Sequence, residues 1–262
     1  MGDLGGVKSG VRARDRAIPL SGLTVLVTGA GRGIGRATAL ACVEAGANVT
    51  AVARTRADLD DLALDATGLA GTLTPLVFDV TTEDFLQAMG RMESLDVVVN
   101  NAGTNKLQEI ADVDDETLDL LLNLNIRAAF KVSRAAALRM VALGRGGSII
   151  HVSSQMGHVG APKRTVYCMT KHAIEGLTKA MAIELAPANI RVNAVAPTIV
   201  ETSMTRPFLA DPSYREFAMA TIPLKQVATG EDVAEAIVYL ASPAARMVTG
   251  TSLRVDGGAT AQ

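Results

Sequence analysis

Short apolar runs bounded by turn residues recur along the chain, and longer segments with apolar residues at helical spacing lie between them. Such runs are typical of buried strands, and the segments between them are typical of helices that cover a sheet. The predicted strands span residues 23–28, 48–53, 74–78, 95–99, 148–152, 190–196 and 252–255, and the predicted helices span 36–44, 85–92, 116–143, the stretch that begins at Tyr167, and 231–240.

This alternation predicts an α/β fold with a parallel sheet that helices cover on both faces. Neither a break in composition nor an internal repeat divides the chain after residue 20, so we expect one domain over residues 21–262. Residues 1–20 are rich in Gly and Arg and lack the apolar centre of a signal peptide, so they are expected to form a flexible leader. Residues 198–222 are expected to form a long loop, either a lid over a site or a mobile surface segment.

The composition narrows the classes of function. The 262 residues are 48% hydrophobic and only 3% aromatic, so the expected core consists of Ala, Val, Leu and Ile. The formal net charge of −2 argues against a nucleic-acid surface, and no apolar run is long enough to predict a membrane span. Cys42 and Cys168 have no metal-binding spacing and are expected to be buried or inert thiols. We therefore expect no metal site and a reducing, cytoplasmic location.

A glycine-rich loop follows the first predicted strand and opens the first predicted helix. It reads Gly-Ala-Gly-Arg-Gly-Ile-Gly over residues 29–35. Glycines allow a tight turn there, and the backbone N–H groups at a helix N-terminus attract a pyrophosphate. A strand, a glycine loop, a helix and a second strand in this order indicate a dinucleotide-binding fold.

Tyr167 and Lys171 lie one turn apart on a predicted helix and therefore face the same side. A phenol has a pKa of about 10 and is a poor base at neutral pH, but a fixed ammonium group beside it favours the phenolate and lowers that pKa. The pair is a candidate general acid and base for moving a hydroxyl proton. Taken alone, the same two residues also fit an ordinary, partly exposed helix pair.

Polar residues and glycines follow the other predicted strands. In an open parallel sheet, ligands bind at the carboxyl ends of the strands. Asp79 and Val80 follow the third strand, Asn100, Asn101, Ala102 and Gly103 the fourth, Ser153 and Ser154 the fifth, and Pro197 with residues 198–202 the sixth.

Together, these motifs closely resemble those of the short-chain dehydrogenase/reductase family. The resemblance includes Thr-Gly-x-x-x-Gly-x-Gly over residues 28–35, Asn-Asn-Ala-Gly over residues 100–103, and a serine thirteen residues before a Tyr-x-x-x-Lys pair. It extends over residues 22–258 and implies a single Rossmann-type, doubly wound domain with a seven-stranded parallel sheet. It also implies an oxidoreductase that transfers a hydride between a nicotinamide and a secondary alcohol or ketone.

The resemblance places the family's catalytic tetrad on Asn125, Ser154, Tyr167 and Lys171. Tyr167 is expected to exchange a proton with the substrate oxygen, and Ser154 to position that oxygen. Lys171 is expected to hold the nicotinamide ribose and to lower the pKa of Tyr167, while Asn125 is expected to bind a water that links Lys171 to solvent. Ser153 is a rival for the serine role, but the thirteen-residue spacing favours Ser154.

The resemblance also implies contacts with the cofactor. Thr198 departs from the family's usual glycine after the proline, and glycine tolerates a positive φ that threonine does not. The implied contacts are Gly29, Gly33, Ile34 and Gly35 for the pyrophosphate, Asp79 and Val80 for the adenine, Asn101, Ala102 and Gly103 for the adenine ribose, and Pro197, Val200 and Thr202 with Tyr167 and Lys171 for the nicotinamide end.

Two arginines favour NADP(H), and NAD(H) is possible if both of them face solvent. Family members that prefer NAD carry an acidic residue at the end of the second strand, where this chain has Ala53 followed by Arg54. Arg32 lies in the glycine loop beside the same ribose, and a pair of guanidinium groups suits a 2′-phosphate.

The substrate contacts predicted from the segment before Tyr167 are Gln155, His158 and Arg164. His158 fits equally well as a loop histidine with its hydrogen bonds satisfied internally. Thr104 and Asn105 add polar groups after the fourth strand. A site rich in donors and poor in aromatics favours a small sugar or polyol and its keto partner.

Two alternatives and an assembly complete the expectations. A 3-oxoacyl-[acyl-carrier-protein] reductase would need a basic patch for its acidic partner, and a non-catalytic dinucleotide sensor would have no reason to keep the tetrad. The resemblance implies a homotetramer, or else a homodimer, built on the two longest helices. The candidate basic patch is Arg127, Lys131, Arg134 and Arg139, and the Ala-rich faces that would permit close helix packing are residues 128–129 and 135–137 and the pair Ala173 and Ala180.

Overall fold

The computed structural model describes residues 19–203 and 205–261. Its centre is one parallel sheet, and the chain enters that sheet in the middle and winds first towards one edge and then towards the other. The strands are β1 (Thr24–Thr28), β2 (Asn48–Ala53), β3 (Thr72–Val77), β4 (Val97–Asn100), β5 (Gly147–Val152), β6 (Ile190–Pro197) and β7 (Ser252–Val255), and they lie in the order β3-β2-β1-β4-β5-β6-β7.

The central strands consist of nearly continuous apolar residues because both faces of the sheet are covered. β4 reads Val-Val-Val-Asn and is buried throughout. In the parallel register, Val25 of β1 pairs with Val97 of β4, and Val97 pairs in turn with Ser148 of β5. β3 lies at one edge, where Thr72 and Thr74 alternate with less exposed neighbours.

Helices cover the sheet in two layers. One apolar cluster includes Ala39, Leu62 and Ile237 on one face, and the other includes Met89 and Ala136 on the opposite face. The helices are α1 (Gly33–Glu44), α2 (Arg56–Asp65), α3 (Glu83–Gly90), α4 (Asp115–Leu122), α5 (Ala129–Leu143), α6 (Thr165–Leu185), α7 (Arg206–Leu209), α8 (Pro212–Thr221) and α9 (Gly230–Ala241).

The helix expected over residues 116–143 is interrupted. A π-helical segment, Asn123–Ala128, separates α4 from α5. The apolar spacing predicted helical structure throughout, but it does not distinguish an α turn from a π turn, which needs one more residue. The interruption lies in the segment that carries Asn125.

The long loop expected over residues 198–222 is also wrong in part, because it contains α7 and α8. Asp211 caps α8 by accepting a hydrogen bond from the backbone N–H of Ser213, and Pro212 begins the helix. Proline suits the first turn because its missing N–H has no partner there in any helix. The prolines that favoured a loop therefore mark a helix start.

The folded domain begins before residue 21. Leu20, assigned to the leader, is fully buried in the core, and its backbone N–H donates to the carbonyl of Ala45 at 2.9 Å. Residues 1–18, which contain the rest of the expected leader, lie outside the described part of the chain. No helix among the described residues is long and apolar enough to cross a membrane.

Candidate active site

The glycine loop forms an open turn at the carboxyl end of β1. Gly29 and Gly33 have φ values of +66° and +56°, which only glycine adopts without strain. A Cβ atom at Gly35 would lie 2.2 Å from the carbonyl oxygen of Gly29, so any side chain at this position would displace the loop. Arg32 begins α1 without a side-chain cap, which leaves the first backbone N–H groups of the helix available to an anion.

Thr28 and Asn101 tie this loop to the end of β4. The buried Thr28 hydroxyl accepts from the backbone N–H groups of Asn101 at 3.0 Å and Ala102 at 3.1 Å, and donates to the carbonyl of Val99 at 3.3 Å. The Asn101 amide donates to the carbonyls of Thr28 at 2.9 Å and Gly29 at 3.2 Å. The predicted pyrophosphate and ribose segments are thus joined into one surface.

Two exposed arginines flank the end of β2. The Arg32 guanidinium lies 3.8 Å from the carboxylate of Asp58, and the Arg54 guanidinium lies 3.9 Å from that of Asp79. Burial opposes ionisation of Asp79, but hydrogen bonds from Thr81 and the charge of Arg54 outweigh it and hold the pKa of Asp79 below its ordinary value. Both guanidinium groups remain largely accessible to a second anion.

The residues predicted to contact the adenine and the nicotinamide also lie at this edge. Val80 is almost fully buried, so its side chain belongs mainly to the core. Thr202 lies across the glycine loop, where its Cγ2 would be 3.3 Å from a Cβ atom at Gly33. Thr198 does not adopt a positive φ, so the expected conflict with threonine at this position does not arise. Its backbone N–H donates to the carbonyl of Val255 at 3.1 Å.

Tyr167 and Lys171 lie on successive turns at the start of α6. The Lys171 ammonium donates to the carbonyl of Val152 at 2.8 Å and lies 5.5 Å from the centroid of the Tyr167 ring. Burial lowers the pKa of Lys171 to about 8, against the opposing effect of the Glu175 carboxylate. The ammonium is thus fixed between β5 and the phenol.

The expected depression of the pKa of Tyr167 is wrong for this structure. Burial raises that pKa above 10, and the opposing effects come from a hydrogen bond with Ser154 and from the charge of Arg164. Lys171 directs its ammonium towards the carbonyl of Val152 instead. The phenol is therefore protonated at neutral pH, as a proton donor requires.

The two serines after β5 point in different directions. Ser154 caps a one-turn 3₁₀ helix, Gln155–Gly157, by accepting from the N–H of Met156 at 3.2 Å, and it lies close enough to Tyr167 to affect its pKa. Ser153 instead directs its hydroxyl towards Gly157, at 2.9 Å from the position of a Cβ atom there. The geometry therefore favours Ser154 as the partner of the phenol.

Asn125 holds the chain segment after β4 against α6. Its side-chain oxygen accepts from the N–H of Thr104 at 2.9 Å, and its amide donates to the Thr104 carbonyl at 2.8 Å and to the Thr170 hydroxyl at 3.2 Å. Both amide hydrogens are thereby used. The expected water therefore has no side-chain donor left on Asn125 and could use only the second lone pair of its amide oxygen or its main chain.

The predicted substrate residues divide into two groups. The amide oxygen of Gln155 is buried and has no hydrogen-bond partner among the described residues, and Arg164 is near Tyr167. The His158 ring instead contacts the Ser252 hydroxyl at 3.1 Å and the Glu175 carboxylate at 3.4 Å, which favours the alternative of an internally satisfied histidine. Sequence reasoning gave Glu175 no role, although its position four residues after Lys171 was a usable signal.

Comparison with known proteins identifies the family of the chain. A family model described as "Enoyl-(Acyl carrier protein) reductase" matches residues 29–260. The chain is 45% identical over 239 residues to an L-xylulose reductase from Mesocricetus auratus, which covers 91% of this chain and 97% of that protein. The chain belongs to the short-chain dehydrogenase/reductase family. The predicted family and the predicted seven-stranded fold are both confirmed.

Solved structures of short-chain dehydrogenases/reductases have the same fold. One, from Mycobacterium marinum, matches with a TM-score of 0.87 at 37% identity and covers 94% of this chain and 98% of its own. Another, a putative NAD(P) dependent gluconate 5-dehydrogenase from Beutenbergia cavernae with bound NADP, matches with a TM-score of 0.89 at 35% identity and covers 94% and 100%. The chain is therefore an oxidoreductase that acts on CH–OH groups, and its homologues bind NAD(P).

Proposed function

We propose that this enzyme interconverts a small sugar ketone and its polyol with NADP(H). In this proposal Ser154 and Tyr167 act on the reacting oxygen, Lys171 holds the nicotinamide ribose, and Asn125 holds the site in shape. The observation that supports the proposal is that the Tyr167 phenol has Ser154 as a neighbour and the fixed Lys171 ammonium 5.5 Å from its ring centroid. This group lies at the same sheet edge as the glycine loop, since β1, β4 and β5 are neighbours.

The residues suit proton transfer to a carbonyl oxygen during reduction. Tyr167 is protonated at neutral pH, since a phenol has a pKa of about 10 and burial raises that pKa further. It can therefore donate its proton to the oxygen as negative charge develops there. The Ser154 hydroxyl is placed to donate a second hydrogen bond to the same oxygen. NADPH supplies the hydride when it is bound.

The glycine loop and its surroundings fit NADP(H). The uncapped start of α1 offers N–H groups to the pyrophosphate, and Gly35 leaves no side chain to obstruct it. Arg32 and Arg54 flank the end of β2, where a 2′-phosphate would give both guanidinium groups a more highly charged partner than Asp58 or Asp79. NAD(H) would leave that end of the site without its anion, so we place it second.

Unpartnered polar atoms support a substrate with several hydroxyl groups. The amide oxygens of Asn105, Gln108 and Gln155 are buried without hydrogen-bond partners among the described residues. Asn105 follows the Thr104 segment that Asn125 holds, and Gln155 follows Ser154, so both lie beside the reacting groups. Amide side chains both donate and accept hydrogen bonds, so side chains of this kind beside the reacting groups suit a substrate with hydroxyl groups. The similarity of the chain to an L-xylulose reductase supports the same class of substrate.

The alternative of a 3-oxoacyl-[acyl-carrier-protein] reductase is less well supported. Its docking patch would use the basic residues near α5, but most of these are engaged within the chain. Lys131 pairs with Glu83, Arg134 lies over the Phe130 ring at 5.8 Å, and Arg139 donates to the carbonyl of Met92 at 2.6 Å. Few of these charges are left for an acidic partner.

We also propose that the enzyme is a cytoplasmic homotetramer, with a homodimer as the alternative. Apolar side chains on α5 and α6 are exposed, and a partner subunit would bury them; they include Leu138, Val141 and Ile183. The expected Ala-rich face of α5 points largely inward, since Ala128 and Ala136 belong to the core. On α6, Ala173 is half-buried and Ala180 is exposed. Light scattering after size-exclusion chromatography measures the subunit number.

The proposal is tested by NADPH oxidation with a panel of ketones. The wild type should reduce small keto sugars faster than 3-oxoacyl thioesters. Tyr167→Phe, which keeps the ring and removes the proton donor, should lower kcat by at least about 100-fold. Equal rates for the two proteins would remove Tyr167 from the mechanism. A preference for the thioester would favour the alternative.

A further inference from the structure

Glu175 lies one helical turn after Lys171 on α6, so the two side chains share a face. Only 5% of Glu175 and 8% of Lys171 are exposed. A buried charge is costly unless it has a partner of opposite charge. The Lys171 ammonium donates its hydrogen bond to a neutral group, the carbonyl of Val152. The four predicted catalytic residues include no carboxylate, so none of them supplies a negative charge opposite the Lys171 ammonium at neutral pH.

The Glu175 carboxylate is held on one side and free on the other. One oxygen, Oε1, accepts from the Ser252 hydroxyl at 3.0 Å and lies 3.4 Å from Nε2 of His158. The other oxygen, Oε2, is buried and has no hydrogen-bond partner among residues 19–203 and 205–261. The carboxylate is therefore held in one orientation by the contacts of Oε1. Its second oxygen, Oε2, has no hydrogen-bond donor among the described residues to stabilise its charge.

Gly157 creates the space for this arrangement. A Cβ atom there would lie 3.0 Å from Cγ of Glu175 and 3.1 Å from the carbonyl oxygen of Lys171. A larger residue would push α6, with both charged side chains, away from the segment that carries Ser154. The close packing of α6 on this segment therefore holds Glu175 against the 3₁₀ helix that follows Ser154.

We infer that Glu175 is a positioning residue that keeps the Lys171 ammonium charged and in place, so that the pH range of NADPH binding and catalysis depends on its carboxylate. The inference rests on the proposed function, in which Lys171 holds the cofactor ribose. The negative charge of Glu175 opposes the effect of burial on the pKa of Lys171, which is about 8. Because burial raises the pKa of Tyr167, Lys171 is the first of the two to lose its proton as the pH rises.

Other charged groups near α6 do not replace this carboxylate. Among the described residues, His158 is the one basic side chain within 4 Å of a Glu175 oxygen. His151 is buried on β5 and is itself affected by the charge of Lys171. The remaining charged or basic side chains on α6 and on the elements packed against it are His172, Lys179 and Glu184 on α6, Asp115, Glu116 and Asp119 on α4, Arg127 in the π-helical segment, Arg164 at the start of α6 and Arg191 on β6.

The test measures NADPH affinity from pH 6 to pH 10 for the wild type and for Glu175→Gln. The fluorescence of the reduced nicotinamide serves as the signal, and the chain contains no Trp to interfere. If removal of the carboxylate lowers the pKa of Lys171 by about one unit, affinity at pH 8 should fall about five-fold, while affinity at pH 6 should change by only about 1.1-fold. In the pH profile of kcat/KM for NADPH, the alkaline limb, where activity is lost as the pH rises, should shift to lower pH by about one unit.

The matched control is Glu184→Gln, which removes the same charge from an exposed position near the other end of α6 and should leave the alkaline limb in place. Glu175→Asp keeps the negative charge, so the alkaline limb should stay close to its wild-type pH. An equal loss of affinity at every pH, or an unmoved limb in Glu175→Gln, would show that the residue only supports the fold and would overturn the inference. If Glu175→Gln does not fold, Glu175→Ser leaves space for water in place of the carboxylate and decides by the same criterion.

The substrate proposal and the role of Glu175 can be refuted independently of each other. NADPH binding is measured without a ketone, so an error in the sugar assignment leaves this test intact. A wild type that reduces sugars while Glu175→Gln keeps the wild-type pH dependence would contradict only the role of Glu175.

Discussion

The Thr28 hydroxyl joins the two halves of the candidate cofactor surface, and its removal is a sharp test of the structure. Thr28→Val keeps the shape of the side chain but leaves the N–H groups of Asn101 and Ala102 without their acceptor. A buried N–H without a partner costs about 1–3 kcal/mol, and both groups are partly buried, so we expect a loss of about 2–4 kcal/mol in the free energy of unfolding. In a domain of this size, that lowers Tm by about 8 °C.

A second buried threonine supplies the control. Thr38 on α1 is also fully buried, but its hydroxyl has no hydrogen-bond partner within the described ranges. Thr38→Val removes an unpaired polar atom, so stability should stay the same or rise by about 1 kcal/mol. Urea unfolding and NADPH titration measure both effects, and only Thr28→Val should weaken NADPH binding. Equal losses of stability in the two variants would refute the assigned role of the Thr28 hydroxyl.

Three further outcomes follow from the structure. Gly35→Ala should abolish NADPH binding or folding, measured by titration and circular dichroism, because its Cβ atom would lie 2.2 Å from the Gly29 oxygen. Arg54→Asp should lower the ratio of NADPH-linked to NADH-linked kcat/KM at least about ten-fold, and an unchanged ratio would reject Arg54 as the 2′-phosphate contact. Burial, aided by the charge of Lys171, lowers the pKa of His151 from 6.5 to about 4, so its contribution to stability is complete above pH 6.5 and is lost as the pH falls towards 4. His151→Asn should reduce that acid-induced loss by about 3 kcal/mol in urea unfolding, whereas the exposed His172→Asn should not.

The fold was predictable because its signals are local. The Val-rich runs and the glycine loop specify buried parallel strands and a helix that begins at the glycine loop, and the structure has that form. The predicted β2, 48–53, has the observed bounds, whereas β4 was placed two residues too early because Leu95 is a core residue outside the strand. Apolar character reports burial in both cases and does not separate a strand from the segment that leads into it.

The electrostatics of the site were less predictable than its residues. Spacing alone brought Tyr167 and Lys171 together, but the direction of the lysine, towards the carbonyl of Val152, depends on where β5 lies beneath α6. The same holds for His158, whose partners Ser252 and Glu175 come from distant parts of the chain. The spacing of residues in the sequence does not predict long-range hydrogen bonds of this kind. The direction of a pKa shift can therefore be determined only from the folded structure.

The π-helical segment at Asn123–Ala128 has a consequence for how this chain can vary. A π turn accommodates one more residue than an α turn, so deleting a residue here would convert the segment to a regular α-helix and carry Asn125 away from Thr104. Side chains facing solvent on α4 and α5 can be exchanged without that effect. Between those two helices, the number of residues is therefore under a stricter constraint than their identity, and homologues should show substitutions there far more readily than gaps.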